Sequence, residues 1–125
     1  MPQYSKFLPL EEFISTNPLT PESLTLTLET KLNMIEYKPL LVSNGGVKRA
    51  AREKYDIVLE ETLSHKKREK VLLHELIHIH YSDVTPLIES EEDYNQCGRI
   101  LKKETCRFTI KYPGCLRRLV NLLLP

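Results

Sequence analysis

Apolar residues recur along this chain with more than one period, and the period predicts the element. Thr20-Pro21-Glu22 sets a hydroxyl, a proline and an acid in the order that starts helices. Beyond it, Leu24, Leu26 and Leu28 alternate as in a strand, while Leu24, Leu28, Leu32 and Ile35 recur as in a helix. The start signal selects a helix over about 21–32. "MIEYKPLLV" (34–42) reads as a strand and "SNGG" (43–46) as a turn. Residues 47–54 are charged and suit a helical turn or an edge strand. "YDIVLEE" (55–61), with its β-branched pair Ile57-Val58, reads as a second strand.

From about Ser64 to Tyr81 the pattern is helical, with Leu72, Leu76 and Ile79 on one stripe. Ser82 to Thr85 is a short connection. Thr85-Pro86 repeats the hydroxyl-proline start, and Ser90 with Asp93 offers a later capping box. A further helix is therefore expected to begin between 86 and 91 and to run to about 103–108. Pro113-Gly114 breaks the chain, after which Leu116, Leu119, Val120 and Leu123 share a face of a C-terminal amphipathic helix. Residues 1–19, rich in proline and turn formers, read as an N-terminal arm, with one short helical turn in "LPLEEFIST". The sum is an α+β fold in a single domain over 1–125, a length that supports one hydrophobic core.

Composition narrows the function classes. At 41% apolar and 28% charged the chain reads as an ordinary soluble protein. A formal net charge of +1 gives no electrostatic case for nucleic acid or an anionic membrane. His65-Lys66-Lys67-Arg68 is followed at once by Glu69 and reads as a solvated helix start, with His65 on the surface. No apolar run approaches the ~18–20 residues of a membrane span. The N-terminus lacks the apolar stretch of a signal peptide. Cys97, Cys106 and Cys115 are an odd count with no CxxC, which points to reduced thiols in a cytoplasmic setting and against a cysteine-bound metal. Cys97 reads as a core residue, and the other two as buried or incidental. The chain has no internal repeat.

The chemistry lies in "LLHELIHIHY" (72–81), where His74-Glu75-Leu76-Ile77-His78 forms HExxH on a helix. Residues four apart share a helix face, about 6 Å between Cβ atoms. Two imidazoles there can reach one zinc ion at ~2.0–2.1 Å. Glu75 can point at the water on the metal without binding the metal. Zinc lowers that water's pKa towards ~7, and the glutamate takes its proton as general base. His80, about 200° round the helix from His78, cannot join the same metal.

A catalytic zinc needs a third protein ligand and an open position. The metzincin pattern fails, because Tyr81 and Val84 stand at its glycine and third-histidine places. The acidic cluster "ESEEDYN" (89–95) is the better source. If the chain reverses near residue 84, Glu91 and His78 come to nearly the same level at ~1.5 Å per residue. Glu91 is the expected ligand, with Glu92, Glu89 and Asp93 as alternatives. Tyr81, Tyr94 and Tyr112 are candidates to stabilise developing negative charge.

These residues resemble the ImmA/IrrE-type zinc metallopeptidases, which are small gluzincin-like domains. That family carries HExxH on one helix and an acidic-led motif, E-x-x-A-N/D-x-F-A, on the next. "EEDYNQCG" (91–98) fits it in outline, with Glu91 at the leading acidic place and Asn95 at the Asn/Asp place. Tyr94, Cys97 and Gly98 stand where Ala, Phe and Ala are usual. The resemblance covers about 20–108. It implies a zincin-like domain, with the HExxH helix packed on a sheet of two to four strands and a second helix supplying the third ligand. It also implies a Zn2+-dependent endopeptidase acting on a protein or peptide, such as a repressor-like regulator. A zinc-stabilised binding module without catalysis is the alternative, and Glu75 discriminates against it, because a structural site needs no base. A peptidase-type toxin or effector would use the same chemistry.

Overall fold

The computed structural model describes residues 5–115 together with 117 and 118. The C-terminal helix expected on Leu116, Leu119, Val120 and Leu123 lies outside the described residues. The order is helix α1 (Leu8–Thr16), helix α2 (Pro21–Lys31), strands β1 (Leu32–Lys38), β2 (Gly45–Ala51) and β3 (Lys54–Glu60), then helix α3 (His65–His80). A 3-10 turn (Ser82–Val84) and helix α4 (Glu91–Lys111) follow. This is an α+β fold with a small three-stranded sheet.

The local signals act as their chemistry requires. Thr20 caps α2 by accepting from Ser23 N at 3.1 Å, with Pro21 in the first turn. Ser64 accepts from Lys67 N at the start of α3. Ser90 accepts from Asp93 N at the start of α4. Thr85 starts no helix, because its hydroxyl donates to Tyr81 O at 2.7 Å and closes the end of α3 instead. Helix α4 therefore begins at the late end of the expected range. It runs past 108 to Lys111, just short of Pro113.

Two expectations need correction. The N-terminal arm holds a nine-residue helix rather than one turn, and its Phe7 and Leu10 are fully buried. The first strand spans Leu32–Lys38, so residues 39–42 belong to the loop before β2, where Leu41 and Val42 stand in solvent. The ambiguous 47–54 stretch lies mostly in β2, an edge strand.

The sheet order is β1-β3-β2. β3 is central, parallel to β1 (Ile35 opposite Ile57) and antiparallel to β2 (Val47 opposite Ile57). Its Ile57 and Leu59 are fully buried. α3 contacts β2, β3, α2 and α4, and so is covered on several sides. That is why Leu72, Leu73, Leu76, Ile77 and Ile79 are all buried, more than one stripe would need. The helix meets β2 at Gly45, where a Cβ would stand 2.6 Å from Val71 Cγ1. On the other side, α4 buries Cys97, Leu101, Glu104 and Phe108.

A buried polar knot closes the end of the core. Glu104 accepts from Leu19 N at 2.7 Å and from Arg107 Nη2 at 3.0 Å. Arg107 Nη2 also reaches Leu19 O at 2.8 Å. The Tyr81 hydroxyl shares its proton between Asn17 O and Glu104, at 2.9 and 3.2 Å. The α1–α2 connection is thereby tied to α3 and α4, and the buried carboxylate is fully partnered.

Candidate metal centre

His74 and His78 project from the same face of α3, one turn apart. Their Nε2 atoms are 3.1 Å apart, and the rings stand nearly perpendicular, at 84°. Two nitrogen ligands at ~2.0–2.1 Å on a tetrahedral zinc would be separated by ~3.3 Å. The pair therefore fits a zinc-sized cation with almost no adjustment. Burial pushes the His78 imidazole down to about 4. It also lowers His74, with help from the Lys102 charge. Both rings are thus neutral at pH 7 and keep a lone pair for a metal.

The two rings open on a cleft of about 230 Å³ between α3 and α4. Tyr94, Asn95, Gly98, Arg99 and Lys102 form its α4 wall. Glu75 adjoins His74 but faces inward, only 8% exposed. Burial raises its carboxyl to about 7, and among the described residues no hydrogen bond offsets that. A carboxyl poised near neutrality can take a proton and give it back.

The acidic cluster divides. Lys6 pairs with Glu89 at 3.3 Å and with Asp93. Lys6 also donates to Leu87 O at 2.8 Å, so these two acids fasten the N-terminal segment to the start of α4. Glu91 and Glu92 are exposed on the first turn of α4. Glu91 lies three and four residues before Tyr94 and Asn95, one turn from the cleft wall. Among the described residues, no three His, Cys, Asp or Glu side chains converge on a common point. The structure thus brings His74 and His78 together and leaves Glu91 outside the pair.

The other candidates fall into place. His80 Nδ1 is 2.7 Å from Thr27 Oγ1, whose own proton goes to Ser23 O. It is a structural contact on the α2 side, away from the cleft. Tyr81, considered for charge stabilisation, is fully buried in the Glu104 knot and does not reach the cleft. Tyr112 packs on Phe108, with ring centroids 5.1 Å apart, and is likewise remote. Tyr94 alone of the three lines the cleft. His65 is on the surface, 3.1 Å from Glu69. Cys97 is buried as expected, whereas Cys106 is exposed. Sequence reasoning missed Arg99 and Lys102. Their only signal is their spacing of four and seven residues from Asn95.

The sequence pattern of the IrrE N-terminal-like domain matches residues 33–116. The chain belongs to this peptidase family. The match runs from β1 through α4 and contains both walls of the cleft, while α1 and α2 precede it. No curated protein and no solved structure matches the chain significantly. The IrrE N-terminal-like family is generally metal-dependent, and membership indicates a metallopeptidase-type function. Among the described residues, no helix is long and apolar enough to cross a membrane.

Proposed function

We propose that the protein is a zinc-dependent metallo-endopeptidase, with His74 and His78 as metal ligands, Glu91 as the third ligand and Glu75 as the catalytic base. The observation that carries this reading is the 3.1 Å approach of the two Nε2 atoms at the mouth of a cleft. When bound, zinc supplies a Lewis acid and a lowered pKa for water. Glu75 takes the proton of the attacking water and returns it to the departing amine. Tyr94, at the cleft wall, offers a hydroxyl to the carbonyl oxygen as charge develops there.

Three observations favour Glu91 among the acids. Glu89 and Asp93 are held by Lys6. Glu91 precedes two cleft residues at helical spacing, Tyr94 and Asn95. Glu92 precedes only one cleft residue at that spacing, Asn95, and its other neighbour, Gln96, is turned to Ser5 at 2.6 Å. A structural zinc site needs closed, four-ligand coordination and no base, so Glu75 beside His74 favours catalysis. The substrate is a polypeptide, and the resemblance to ImmA/IrrE-type enzymes suggests a repressor-like regulator. Free cysteines suit a reducing, cytoplasmic setting.

The test is metal content and proteolysis measured on the same preparations. The wild type should hold about one zinc per chain and cleave an unfolded protein, with both lost in His78→Ala. A wild type that takes up no zinc on titration would refute the reading.

A further inference from the structure

The α4 wall of the cleft carries two cations, Arg99 and Lys102, and no acid. Both side chains are exposed. Arg99 also lines a larger cleft of about 620 Å³ between α1 and α4, together with Lys103 and Arg107. Arg99, common to both linings, stands on α4 between the two clefts. From Gly98 to Lys111 the helix carries five cations and one acid. That acid, Glu104, is buried and bound to Arg107, so the two neutralise each other and four cations are left on the helix. Glu11, on the α1 side, is the one exposed acid in the lining of the larger cleft.

The whole chain is nearly neutral, at +1, so this is a local field and not a property of the protein at large. The smaller cleft is lined by one sign of charge, and such clefts concentrate ligands of the opposite sign. We propose that the α4 wall of the smaller cleft binds an acidic polypeptide segment. In this assignment Arg99 and Lys102 select a carboxylate side chain close to the bond presented to His74 and His78. The proposal deepens the peptidase reading and rests on it for the role of the bound segment. A polypeptide is favoured over nucleic acid because the cationic wall faces the paired imidazoles of His74 and His78, the site assigned above to peptide-bond hydrolysis.

The test is fluorescence anisotropy with Glu75→Gln protein and two labelled, unstructured peptides of equal length, one rich in glutamate and one in lysine. The acidic peptide should bind about tenfold more tightly, and high salt should shrink the difference. Arg99→Glu combined with Lys102→Glu should reverse the preference. Both positions are exposed, so folding tolerates the change. Arg52→Glu, on the β2–β3 turn, should leave it unchanged. Equal binding, binding of neither peptide, a preference that survives the double reversal, or tighter binding of an oligothymidylate would overturn the proposal. These readouts need no metal, so they fail separately from zinc uptake, whose absence would sink the peptidase reading.

Discussion

The Tyr81 hydroxyl lies 3.2 Å from Glu104 Oε2, inside the core, where the residue after the HExxH helix meets α4. Tyr81→Phe deletes that bond and the one to Asn17 O but leaves the ring in place. It should cost about 1–2 kcal/mol in denaturant unfolding. Glu104→Ala strands Leu19 N and Arg107 and should cost more, about 3 kcal/mol.

The same contact sets an alkaline limit. Burial, then the charge of Glu104 and its hydrogen bond, raise the Tyr81 pKa well above the ordinary phenol value. A raised folded-state pKa gives stability that is complete below the unfolded value of ~10 and declines as pH rises beyond it. Unfolding free energy should therefore fall above pH ~10. The fall should be smaller in Tyr81→Phe, which a series of urea titrations would show.

Two glycines should respond oppositely to alanine. At Gly45 the new methyl would meet Val71 Cγ1 at 2.6 Å and Val58 O at 3.1 Å, a stiff side chain and a backbone atom. Gly45→Ala should cost about 1–3 kcal/mol and push α3 off the sheet. At Gly98, inside α4, a Cβ meets nothing within 4 Å. Gly98→Ala should stabilise by up to ~1 kcal/mol through helix propensity. Thermal melts of the two variants would separate these outcomes.

Metal stoichiometry discriminates among the acids. Glu91→Gln should weaken zinc binding markedly, while Glu89→Gln should leave it unchanged, because Glu89 already serves Lys6. Isothermal titration with zinc would decide it, and retention of wild-type affinity in Glu91→Gln would remove Glu91 from the site. Zinc should also raise the melting temperature of the wild type by mass action, and a chelator should reverse the rise.

Glu75→Gln should keep the metal and lose activity by about 10²–10⁴-fold, the range for a displaced general base. Zinc content and peptide cleavage on one preparation would show whether the two properties part. Loss of both together would make Glu75 a residue that supports the site rather than its base.

Much of this was legible because it is local. Helix capping at Thr20, Ser64 and Ser90 depends on a few neighbouring atoms. So does the shared face of His74 and His78, since a helix brings residues four apart together whatever surrounds it. The hydroxyl-proline pair at Thr85 misled because Thr85 found the free carbonyl of Tyr81, one turn back, before a new helix could start. The α1 helix was obscured by the prolines of residues 1–19. One of them sits harmlessly in its first turn, and Phe7 and Leu10 gain burial that the sequence does not advertise.

By itself, then, the sequence determined α2, α3, α4 and β3, the caps at Thr20, Ser64 and Ser90, and the pairing of two imidazoles across one helical turn, all set by backbone geometry at short range. Only the tertiary structure decided which side of α4 faces that pair. That phase is fixed by burying Cys97, Leu101 and Phe108, together with the charged Glu104, which no apolar stripe would include. The same packing drew Tyr81 into the core and turned Arg99 and Lys102 to the cleft. It also left Glu91 one turn from the histidines, because helix rotation answers to the whole core and not to the residues of the site.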